Sequence, residues 1–306
     1  DSTGNDGDVT MTSTLQSSAD DGNKTLTITS GGGPVNIADA IGGTDLRHLG
    51  GLSINASSGS GTIEVEEIGV SNTNAGVDGD VTIGNSTTTE ITFDGALYSV
   101  GDANTHDILV TAATGETIKF TKQAATEVVT PGIGTITFAT GSIYLDTSTP
   151  LTITSKGNVV SVAKVYGVSG GDNNLTINAN HATGSTTEKI TIGAIGDEDE
   201  IAAVTLTAAD GITFTGNIEL ADHAGADLDI NGKVFISGDV TITTDNTSDD
   251  GTINFSSTID GVTESGTAID DNLTILAGDT SNNGAGASQG GSLTCLLYTS
   301  PSPRDS

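Results

Sequence analysis

Residues 174–196 read NLTINANHATGSTTEKITIGAIG. In NLTIN, Leu175 and Ile177 project to one side of an extended chain while Thr176 and Asn178 project to the other, because successive side chains of a strand alternate between faces. In KITIGAIG the alternation of Ile190 and Ile192 reaches Gly193 and an apolar residue follows at Ile195, so this piece reads as a strand ending in a bend.

Both pieces recur along the chain. Segments like the first are TLTIT at 25–29, GLSIN at 51–55, DVTIG at 80–84, ILVTA at 108–112, PLTIT at 150–154, AVTLT at 203–207, DVTIT at 239–243 and NLTIL at 272–276. Segments like the second include EITFDGAL at 90–97, GTITFATGSIYL at 134–145, NVVSVAKVYG at 158–167, GITFTGNIEL at 211–220 and GTINFSSTIDG at 251–261. Their alternation, every two to three dozen residues, falls in the range of solenoids and arrays. A two-stranded unit cannot bury its apolar face alone, whereas stacked coils can: Ile, Val and Leu then form interior ladders and Thr, Ser, Asp and Asn face water. About ten coils at roughly 4.8 Å each predict a rod on the order of 50 Å long. The fold class is therefore all-β, a parallel solenoid over residues 1–277. The alternative is a set of tandem β-sandwich domains of about 100 residues each. Asp-Gly and Gly-Asp pairs before strands, such as Asp78-Gly79-Asp80 and Gly238-Asp239, read as turns. No stretch reads as a convincing helix; the best candidate, IADAIGGTDLRHLGG at 37–51, has room between its glycines for only about one or two turns.

Forty acidic against nine basic residues give a formal charge of −31. Such a surface repels phosphate backbones and anionic headgroups, so nucleic acid and membrane insertion are not expected as partners. Aromatics make up 3% of the chain, which suits a narrow aliphatic interior better than a wide sandwich core.

Catalytic and metal chemistry is sparsely supplied. The paired acids Asp20-Asp21, Asp249-Asp250 and Asp270-Asp271 all stand in turn-like surroundings, and His48, His106, His181 and His223 are scattered without ligand spacing. Arg47 is the one arginine before the C-terminal tail, few cations for a cleft that handles acidic sugars. No enzymatic activity is expected. The run Asp197–Glu200 reads as a solvated loop. Among the acidic turns, 245–251 concentrates Asp245, Asp249 and Asp250 with several carbonyls, a donor set suited to weak calcium binding; no other cofactor is expected. Thr-x-Thr steps such as Thr152/Thr154 and Thr205/Thr207 would line a flat outer face, which admits an ice-binding solenoid as an alternative function. Segments 98–107, 122–133 and 221–226 break the repeat and are the expected local contact sites.

NLTINANHATGSTTEKITIGAIG and DVTITTDNTSDDGTINFSSTIDG (239–261) resemble the repeats of giant bacterial surface proteins of the filamentous haemagglutinin type. The resemblance implies a right-handed parallel β-helix (solenoid) and a secreted or cell-surface, extracellular adhesin-like rod. Its partner would be a cell-surface or extracellular glycan or protein ligand. It carries over no site residues. The function expected is a structural and adhesive passenger segment; a polysaccharide-degrading β-helix enzyme is the alternative beside ice binding.

The C-terminus departs from these habits. Residues 278–294 are rich in Gly, Ser and Asn and read as a loop or linker, while 295–306 hold the single Cys (Cys295), Pro301, Pro303 and Arg304. CLLYTSPSPRD resembles one reading frame of a transposase sequencing adapter, so 295–306 are expected to be a non-native tail that adds nothing to the fold. Asp1 is no initiator, which suggests a piece of a longer reading frame.

Overall fold

The computed structural model describes residues 7–18, 24–42, 48–56, 61–71, 76–101, 105–122, 125–146, 150–168, 173–180, 187–221, 226–244, 251–260, 271–277 and 293–299. The chain is a parallel β-solenoid. Each coil contributes to three stacked sheets, and the strand pairings are parallel throughout the described residues.

In the first sheet one interior ladder runs Val9, Val35, Ile63, Ile91, Ile118, Ile143, Val165, Ile195, Ile218, Ile242, Ile275. The second sheet runs Leu15, Ile41, Ile68, Tyr98, Val128, Ile153, Ile177, Leu206, Ile230, Phe255. The third runs Leu26, Leu52, Val81, Ile108, Ile136, Val160, Ile190, Ile212, Val234, Ile259. β-branched residues dominate because they fit a pleated surface and stack directly on their equivalents one coil away. Ile63, Ile118, Ile177 and Ile242 are essentially fully buried, and burial of each such side chain contributes about 1.5–3 kcal/mol. The parallel register sets aside the sandwich alternative, whose sheets are antiparallel.

The bends behave as the glycine pattern predicts. GTITFATGSIYL forms two strands, Ile136–Thr140 and Ser142–Leu145, on different sheets. Gly141 turns between them at φ 82°, a conformation that costs a side-chain-bearing residue. As the sequence led us to expect, no helix occurs among the described residues: in the stretch around 37–51, Val35–Ile37 is a strand and Ile41 bridges Leu15 and Ile68. Here the apolar spacing serves the second sheet instead.

The central coils carry an aromatic interior. Phe93 stacks on Phe120 at 5.0 Å, Tyr98 meets Phe93 edge-on at 4.7 Å, and Phe138 meets Phe120 at 6.2 Å. The Tyr98 hydroxyl donates toward the Val65 and Glu66 carbonyls and accepts the Gly95 N–H. Burial pushes this phenol well above its ordinary range, with Glu66 adding to the effect against the lowering by the Gly95 bond.

At the C-terminal end Leu293–Thr299 forms a strand paired with Ile253–Asp260. Leu293 and Thr294, read as loop or linker, and 295–299, read as part of a non-native tail, thus lie along the last coil. An open sheet edge presents unpaired N–H and C=O groups that any extended segment can satisfy.

Candidate ligand-binding groove

The acids before strands act between coils. Asp80 Oδ1 accepts the Asp107 N–H at 3.0 Å, and Asp107 Oδ1 accepts the Thr135 N–H at 2.7 Å. Asp227 does the same for Thr252 at 2.9 Å and Asp239 for Asn272 at 2.8 Å. In these bonds the carboxylate reaches the next coil. The donor stands just before the first ladder residue of the next coil's strand, so each of these aspartates anchors the entry of the strand stacked on its own coil.

The first two of these aspartates rim an open groove of about 340 Å³ lined by Asp80, Val81, Thr82, Asp107, Ile108, Leu109, Thr135 and Thr137. It lies on the outer side of the third sheet, across the strands Val81–Gly84, Ile108–Thr111 and Ile136–Thr140. Register places Leu109 between Thr82 and Thr137. His106 Nδ1 stands 3.5 Å from Asp80 Oδ1, and the Asp80 side chain is 72% exposed. The coils approach closely at this rim: a Cβ on Gly134 would lie 1.6 Å from the His106 carbonyl oxygen, so only glycine fits there.

Of segment 98–107, Asp107 lines this groove and His106 stands beside Asp80. Segment 122–133 contains the strand Thr126–Thr130 of the second sheet, and of 221–226 the described Ala221 and Ala226 are buried. Asp245, Asp249 and Asp250 lie outside the described residues. So do Asp20, Asp21, Asp270, Arg47, His181 and His223. Asp271 Oδ2 accepts the Gly238 N–H at 2.7 Å. His48 Nδ1 lies 2.7 Å from Asp78 Oδ1, with the histidine side chain 11% exposed. Among the described residues no three His, Cys, Asp or Glu side chains gather as a metal ion would require, and no helix is long and apolar enough to cross a membrane.

The acidic run 197–200 folds onto the first sheet. Asp197 and Glu198 hold the Lys164 ammonium at 3.1 and 2.7 Å, and the Asp199 carbonyl accepts the Gly167 N–H. Burial pulls the Lys164 ammonium down, but the bonds to Glu198 and Asp197 outweigh it and leave it above the ordinary lysine value. Tyr144 and Tyr166 meet at 5.1 Å beside Lys164, with Tyr166 buried. The run is a staple over an aromatic pair and only partly a solvated loop.

The threonine columns Thr152–Thr176–Thr205 and Thr154–Asn178–Thr207 face outward in register, then pass to Asp229 and Asn231. The threonine face is thus short and interrupted by asparagine and aspartate.

No protein-family model, curated protein or solved structure matches the chain.

Proposed function

We propose that this chain is a structural and adhesive segment of a large secreted or cell-surface bacterial protein, of the filamentous haemagglutinin type, that extends and presents surface to an extracellular glycan or protein. The observation that carries the reading is the first-sheet ladder running from Val9 to Ile275 without a change of strand direction. A continuous stack suits a spacer, and the acids just described anchor strand entry or staple a loop. The test coats beads with the purified segment and measures their retention on bacterial, epithelial and matrix surfaces. Retention above albumin-coated beads supports the reading; equal retention on every surface overturns it.

The groove favours one second reading, polysaccharide cleavage, because Asp80 and Asp107 come from neighbouring coils. Glycoside hydrolysis by a carboxyl pair needs an acid and a base or nucleophile at a defined separation; that Oδ1 of each carboxylate here accepts a backbone N–H of the next coil supports a structural role for both. Incubation with neutral and acidic polysaccharides should release no new reducing ends. Release abolished by Asp80→Asn would reverse the ranking.

A further inference from the structure

We propose that the groove over Leu109 binds neutral pyranose rings of a glycan. The inference rests on the adhesive reading and names its ligand class and location.

Leu109 is the observation that calls for a ligand. Its ladder of outward positions runs Thr27, Ser53, Thr82, Leu109, Thr137, Ser161, Thr191, Thr213, Phe235. Phe235 is buried, but Leu109 is 37% exposed. Among the described residues the other exposed large apolar side chains are Val70, Ile133, Leu276 and Leu293; Leu109 alone of the five has paired strands on both sides. A leucine where the fold accepts threonine exposes apolar area without adding to the core.

The surroundings define what would cover it. A pyranose ring has an apolar C–H face that fits a leucine floor and a rim of hydroxyls that need partners. Asp80 and Asp107 supply carboxylate oxygens, which form charge-assisted bonds with hydroxyl donors, and Thr82 and Thr137 supply groups that both donate and accept. Bonds from Asp107 N–H and Thr135 N–H orient the two carboxylates before any ligand arrives, which reduces the ordering cost of binding. The volume, about 340 Å³, sits at the small end of ligand sites. Uronic or sulfated sugars would meet two carboxylates on a chain of net charge −31, so anionic sugars are excluded and the uncharged ring is the form that fits the leucine floor and hydroxyl-accepting rim.

The experiment titrates the ¹⁵N-labelled full chain with neutral gluco-, galacto- and manno-oligosaccharides, with oligogalacturonate, and with calcium chloride. Saturable shifts centred on Thr82, Leu109 and Thr137 are expected with at least one neutral sugar, at a Kd near or below ~1 mM, and none with oligogalacturonate. Leu109→Thr restores the surrounding ladder, so it should keep the thermal midpoint and weaken binding roughly tenfold or more. Asp107→Asn keeps an oxygen for the Thr135 N–H and should weaken binding several-fold. The proposal is overturned if no neutral sugar shifts these amides, if Leu109→Thr binds equally well, or if calcium alone moves them. Bead retention by the unaltered chain with no sugar-induced shift at these amides would overturn this site and leave the adhesive reading standing; sugar binding without bead retention would do the reverse.

Discussion

The coils spanning 150–208 and those spanning 80–145 are built on one plan and depart from it differently. In the first set Leu151, Leu175 and Val204 stack inward, as do Ile153, Ile177 and Leu206, with Thr152, Thr176 and Thr205 between them facing out. In the second set the interior turns aromatic at Phe93, Tyr98, Phe120 and Phe138, and the exterior admits Leu109 between Thr82 and Thr137, beside Asp80 and Asp107. The regular coils show what the stack requires. Residues of the central coils that exceed that requirement are where recognition can reside, since nothing in the repeat explains them.

The largest expected effect tests the inside-outside rule that both regions share. Ile242, 0% exposed, replaced by Asp would bury a charge with no partner, at a cost of several kcal/mol. Its outward neighbour Thr241→Asp should change stability by less than about 0.5 kcal/mol. Urea denaturation of both variants checks the pair. Equal tolerance of the two would show that Ile242 does not face the interior.

Next in size is the aromatic cluster. Phe120→Ala should cost about 3–5 kcal/mol and Ile177→Ala about 2–5 kcal/mol, because Phe120 touches aromatic partners contributed by all three sheets. Hydrogen exchange should show the Phe120 loss spreading into neighbouring coils, since stability in a solenoid is shared through nearest-neighbour interfaces. A Phe120→Ala cost below about 1 kcal/mol would make the aromatic interior an accident of composition.

These contrasts bear on what the sequence made legible. Strand faces were readable wherever Thr alternates with Ile or Leu, as in Leu175-Thr176-Ile177, because burial forces period two. The glycine-marked bends were readable too, as at Gly141. The groove was only half visible. ILVTA at 108–112 breaks the Thr alternation at Leu109, a local signal. That Leu109 meets Thr82 and Thr137 depends on register between coils. Coil length varies from 22 residues between Ile143 and Val165 to 33 between Ile242 and Ile275, so no fixed repeat supplies that register. The intercoil role of Asp80 and Asp107 was hidden for the same reason: which backbone N–H each carboxylate meets is set only when the next coil is placed over it. Within 122–133, which breaks the repeat in sequence, the strand Thr126–Thr130 was hidden because Thr126-Glu127-Val128-Val129 lacks the Thr-Ile rhythm, although Val128 occupies the same ladder as Ile153.

The intercoil aspartates give a smaller, sharper test. Asp107→Ala removes the acceptor for the Thr135 N–H at an exposed rim and should cost about 1 kcal/mol. Asp107→Asn retains an oxygen and should cost less. Thermal or urea unfolding separates them, and equal losses would mean that charge, rather than the bond, is what the position supplies.

Calcium is expected to act weakly, through the turn carrying Asp245, Asp249 and Asp250. An ion bound only by the folded chain adds RT ln(1 + [L]/Kd), about 2.7 kcal/mol at a hundredfold excess over Kd. At a net charge of −31, sodium chloride also stabilises by screening repulsion. The thermal midpoint in millimolar calcium should exceed that in sodium chloride of matched ionic strength and fall in chelator. Equal midpoints in the two salts would reduce the effect to screening.

The smallest effect belongs to the tail. Deleting 295–306 is expected to leave the thermal midpoint unchanged within error, even though Cys295–Thr299 lies along Ile253–Asp260. Backbone bonds at the end of a stack exchange with bonds to water, so each contributes a net of only about 0.5–1.5 kcal/mol, and ordering each residue costs about 1–2 kcal/mol. The register also slips between Phe255 and Thr258, which interrupts the ladder that would make such a strand cooperative. A strand laid on an open edge under those terms adds little. The buried ladder residue Ile259, 3% exposed, offers the contrast: Ile259→Ala should lower stability by about 2–5 kcal/mol if its interior packing dominates. A drop of several degrees on deleting the tail would show that 295–299 covers the last coil as its own structure.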